Sequence, residues 1–108
     1  MKLILIISIF VSLKADSYNA LLFNGNCTTC HEIDKTVSAP SMKEVQRVYK
    51  QAFPDKKDFV EYMSTWAQHP NKDGSLMLNA IDKHGLMPEL GFDKSTLEDI
   101  TDYIYELK

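Results

Sequence analysis

From Tyr18 onward, apolar positions recur three and four residues apart, the spacing of one helix face. Tyr18, Leu21, Leu22 and Phe23 predict a first helix, with Ser17 as N-cap and Gly25 placed to loosen or end it. Val45, Val48, Tyr49, Ala52 and Phe53 predict a second, which starts at Ser41 and breaks at Pro54. A third begins near Asp55 with Phe59, Val60, Met63, Trp66 and Ala67 as its stripe, and ends at His69 and Pro70. Ser75 is placed to cap a short helix from Leu76 to about His84, with Gly85 as its stop. The last helix takes Ser95 or Asp93 as its cap, and Ser95 with Glu98 has capping-box spacing. Its buried face is Leu97, Ile100, Tyr103, Ile104 and Leu107. Residues 32–42, 71–74 and 86–92 read as loops and turns. No stretch alternates as a strand, so the pattern predicts one all-α domain.

The first residues have a different pattern. Lys2 precedes an unbroken apolar run from Leu3 to Leu13, followed by Lys14, Ala15, Asp16 and Ser17. A positive end, a short apolar run and a small residue at the end describe a secretory signal peptide over residues 1–15. The competing reading, a buried first strand, sits poorly with the charge before the run and the polar break after it. The run has 11 residues, whereas a membrane-spanning helix needs about 20. The mature domain is then residues 16–108, exported to the periplasm or an equivalent compartment, with no stable membrane span. Loss of Lys2 and Lys14 takes the formal charge from −3 to −5. An acidic chain of this kind has no electrostatic reason to bind nucleic acid, and favours partners with basic docking patches.

The chemistry concentrates at Cys27-Thr28-Thr29-Cys30-His31. Two cysteines separated by two residues and followed at once by histidine form the attachment pattern for a c-type haem. Each thiol adds to one vinyl group of the porphyrin, and the next residue supplies the proximal imidazole to the iron. Three rival readings fit less well. A thioredoxin-type pair belongs beside a βαβ pattern, which is lacking. A zinc site wants a second Cys or His cluster, and no second Cys pair exists. Two cysteines this close seldom make a stable structural disulfide.

A haem iron has a sixth position, and the candidates are Met42, Met63, Met77, Met87, His69 and His84. Met42 and Met63 fall on helical stretches, where core packing is the default, and Met77 can also face the core. Met87 lies in an irregular segment beside Pro88, where the chain can be shaped to aim a thioether, and is the favoured ligand. His84, near the end of a short helix, is its chief competitor, although a histidine there also suits the helix C-terminal dipole. Tyr49 and Trp66 each carry one donor that could reach a carboxylate of the cofactor, with plain packing the simpler role.

A helix before CxxCH, short helices in the middle, a Met-Pro pair and a C-terminal amphipathic helix together resemble the class I c-type cytochromes over the whole mature chain. The resemblance implies the class I fold: short helices around one covalent haem, with N- and C-terminal helices crossing. It implies that Phe23 meets Tyr103 and Ile104 at that crossing, with Asn19 where the family has a small residue and Ala20 beside it. It implies that the carbonyl of Pro40, nine residues after His31, accepts the hydrogen bond that orients the proximal imidazole. It implies Cys27, Cys30, His31, Pro40 and Met87 as cofactor-binding residues, with His31 and Met87 on the iron. The expected function is electron transfer by a monomer between redox protein partners, without enzymatic activity. Two alternatives stand beside it: a haem-bearing electron-input subunit of a larger oxidoreductase, and a haem sensor or peroxidase with an open sixth site.

Overall fold

The computed structural model describes residues 18–108, so the predicted signal peptide and the Ser17 cap lie outside the described residues. Five helices and no strand occur among the described residues: α1 (18–26), α2 (Met42–Ala52), α3 (Lys56–Gln68), α4 (Leu78–His84) and α5 (Lys94–Glu106). None of these is long and apolar enough to cross a membrane.

Among α2 to α5, the α3–α5 pair is the most extensive, and α2 packs on both. Phe59 and Met63 from α3 meet Leu97, Ile100 and Ile104 from α5 in one core, with Met42, Val45 and Tyr49 from α2. α1 joins through Phe23, which is fully buried and lies tilted against Tyr103 with ring centroids 5.2 Å apart. Around the outside, Lys56 pairs with Asp102 and Glu106 at 2.9 Å each, and Lys94 with Glu61 at 2.9 Å. These exposed pairs contribute little individually.

Several boundaries and faces differ from the sequence pattern. α1 runs through Gly25, because one glycine lowers helix stability without breaking the backbone ladder. The buried face of α2 takes Met42 and Gln46, while Ala52 is exposed. Gln46 is buried because its amide nitrogen donates to the Ile104, Tyr105 and Leu107 carbonyls at 3.0, 3.1 and 2.6 Å. Those carbonyls lie at the end of α5, where the four-residue ladder runs out and Ile104 keeps only the Leu107 N–H at 3.2 Å. α4 begins at Leu78 rather than Leu76, since the Ser75 hydroxyl accepts from the Met77 N–H at 2.9 Å and holds a local turn there. At α5 the cap is Asp93, whose carboxylate accepts from Thr96 N–H at 2.8 Å. The helix thus starts one residue before Ser95, which leaves the Ser95–Glu98 capping box unused.

Candidate functional site

The CxxCH segment continues the hydrogen bonding of α1. Cys27 N–H donates to the Phe23 carbonyl and His31 N–H to the Cys27 carbonyl, both at 2.9 Å, the four-residue helical step. Residues three apart on such a turn share a face. Cys27 and Cys30 accordingly both line one cavity of about 240 Å³, and neither is in a disulfide. Burial disfavours the thiolate, which pushes Cys27 up to about 11, whereas Cys30 is exposed.

His31 lines the same cavity, and its Nδ1 lies 2.8 Å from the Pro40 carbonyl oxygen. A carbonyl can only accept, so Nδ1 carries the proton and Nε2 keeps the free lone pair. The loop that delivers Pro40 is closed by the first backbone donors of α2: Met42 N–H bonds the Glu32 carbonyl at 2.8 Å and Lys43 N–H the Ile33 carbonyl at 3.0 Å. Ser41 then caps α2 through Glu44 N–H at 3.2 Å, and its own N–H donates to the Thr36 hydroxyl at 3.1 Å. The imidazole is therefore oriented by a loop tied at both ends.

The rest of the cavity is lined mainly by apolar side chains from the helices, among them Val45, Met63, Ile81, Leu97, Ile100 and Ile104. Met87, half-buried, also lines it. So do Met42, Met63, Met77 and His84, so the cavity gathers five of the six candidate sixth ligands. Met42 and Met63 are core residues that form part of its wall. His69 stands apart on the surface, paired with Glu89 at 3.1 Å. Trp66 donates its indole N–H to the Asn71 carbonyl at 2.9 Å, which commits its one donor elsewhere. The Tyr49 hydroxyl has no hydrogen-bond partner among the described residues, and burial, with Tyr62 close by, raises its pKa well above the usual range. Ile81 of the short helix and Thr101 of α5 line the cavity without having been singled out from the sequence. Their positions on apolar faces were the available signal.

This set of groups fits a covalent haem. Two free thiols a helical turn apart, an imidazole with its outer nitrogen engaged, a thioether and an apolar lining are the donors and walls that such a group needs. Among the described residues no three His, Cys, Asp or Glu side chains gather to hold a metal ion by themselves, as a structural zinc would require. Comparison with family models, curated proteins and solved structures finds no match to this chain.

Proposed function

We propose that this chain is an exported class I c-type cytochrome, a single-electron carrier whose haem is attached through Cys27 and Cys30 and ligated by His31 and Met87. The observation that carries this reading is the meeting, on one cavity, of two free thiols, a carbonyl-oriented imidazole and a thioether from an irregular segment. The contact of α1 with α5 through Phe23 and Tyr103 supports the class I arrangement.

A bound haem supplies a reversible one-electron iron couple. Cys27 and Cys30 would hold the group covalently, each through addition of its S–H across one vinyl double bond with no leaving group. The Pro40 carbonyl fixes the His31 tautomer and strengthens Nε2 as a donor. Met87 offers a thioether, which raises the potential relative to a second imidazole. The aliphatic side chains from α2, α3 and α5 keep water out of the cavity. Leu86 and Leu90, 45% and 44% exposed, line its rim, where a redox partner would approach.

The test is made on purified exported protein. Denaturing mass analysis should give a chain beginning at or near Asp16 plus one intact haem, an addition lost in the Cys27→Ala, Cys30→Ala double variant. Met87→Ala should keep the haem and lower the reduction potential. A mass without haem ends this reading. A parental potential in Met87→Ala removes Met87 from the iron. Rapid CO binding by the reduced wild-type protein would favour the sensor or peroxidase reading instead.

A further inference from the structure

We propose that His84 is a second iron ligand of this chain, positioned to take the sixth coordination site when Met87 withdraws. The inference rests on the haem reading above and concerns which of the chain's own side chains guard that site.

The three described histidines differ in how their rings are used. His31 is tied to Pro40, and His69 is at the surface with Glu89. His84 lines the cavity, half-buried, and its ring makes no hydrogen bond or ion pair among the described residues. A neutral imidazole carries one N–H and one lone pair, and since no buried side-chain nitrogen or oxygen among the described residues lacks a partner, the His84 ring nitrogens keep contact with water and the lone pair is open to a ligand. A metal ion in the cavity would satisfy the lone pair.

The backbones that hold His84 and Met87 also differ. His84 closes α4, which is seated by buried Ile81 and finished by Gly85 N–H bonding the Ile81 carbonyl at 2.7 Å. Met87 lies in segment 86–92, which makes no backbone–backbone hydrogen bond among the described residues. The one side-chain polar tether of that segment is the surface contact of Glu89 with His69. Gly85 (φ 89°) precedes it and Gly91 (φ 78°) lies near its end, on either side of Met87, and they are the positive-φ residues of the described chain. The segment can therefore swing between two glycine pivots while α4 stays in place.

In the exchange, the iron–sulfur bond to Met87 breaks and an iron–nitrogen bond to the His84 lone pair forms. No electron is transferred, and the proton remains on the other ring nitrogen. Imidazole suits iron as a ligand. The chain thereby keeps outside ligands off the iron and lowers the potential for as long as His84 is bound.

The test compares wild type, Met87→Ala and the Met87→Ala, His84→Ala double variant, each first shown by mass to carry one covalent haem. Met87→Ala should remain low-spin and six-coordinate and should resist CO when reduced. The double variant should turn high-spin and take up CO rapidly. If it does not accumulate, Met87→Ala with His84→Gln, which retains side-chain bulk, gives the same comparison. Equal spectra and equal CO binding in the single and double variants would overturn the role of His84 and leave the haem reading intact. Wild-type protein without a haem adduct would overturn both.

Discussion

His31 and Met87 reach the same cavity from segments held in opposite ways. The His31 side is a continuous hydrogen-bonded structure: α1 runs into the CxxCH turn, loop 32–41 is closed on α2, and the imidazole is bonded to Pro40. The Met87 side has an irregular segment between two positive-φ glycines, with its polar contact at the surface. One side fixes a ligand in orientation before any cofactor arrives. The other leaves the Met87 side chain without a backbone hydrogen bond or polar contact of its own segment inside the cavity. Local opening in proteins concentrates where backbone bonds and buried contacts are few, so under the proposed haem reading His31 would be the permanent axial partner and Met87 the adjustable one.

The largest expected effect is on the fixed side. Phe23→Ala removes a fully buried ring from the contact of α1 with α5 and should cost about 3–5 kcal/mol in denaturant unfolding. A loss below about 1 kcal/mol would mean that α1 does not unfold with the rest, and the contrast between the two sides would collapse.

Gly85→Ala addresses the adjustable side. At φ 89° and ψ 165° the residue occupies backbone space that is essentially glycine's own, and a Cβ there meets nothing within 4 Å. The strain is purely conformational and should cost about 1–3 kcal/mol. Unchanged stability in thermal melts would show that the pivot relaxes freely, which sharpens the view of this segment as weakly held.

Cys27 gives a smaller effect, confined to alkaline pH. Burial raises its thiol from 9.0 to about 11, so the folded chain holds this proton more tightly than the unfolded one. The resulting stability is fully present below pH 9 and declines as pH rises through 9 to 11. In haem-free protein, Cys27→Ser should flatten that decline. An equally steep decline in the variant would assign it to other groups.

The smallest effect belongs to the tether. His69 and Glu89 are 74% and 65% exposed, so His69→Ala should change stability by less than about 1 kcal/mol. A larger loss would show that segment 86–92 is held more firmly than its hydrogen bonds imply.

Much of this molecule could be read along the chain because it is written at short range. Helices α2 to α5 begin and end within a few residues of where the spacing and the breakers put them, whereas the Ser17 cap lies outside the described residues. The CxxCH spacing placed two thiols on one helical turn, since i and i+3 share a face whatever else surrounds them. The partition of the methionines was not legible. Met42 and Met63 look like core residues, and they are; they also form cavity wall, because in a domain this small the core and the cavity share a surface.

The sequence by itself determined the all-helical class, the thiol pair with its histidine, and Met87 in a segment with no regular structure. Each depends on residue type and near-neighbour spacing, which the covalent chain fixes. Only the tertiary structure decided that the Pro40 carbonyl meets His31, that Gln46 closes the end of α5, that Asp93 and not Ser95 caps that helix, and that His84 lines the cavity while His69 faces solvent. Those outcomes depend on which elements pack together, and on which buried polar groups find a partner when they do.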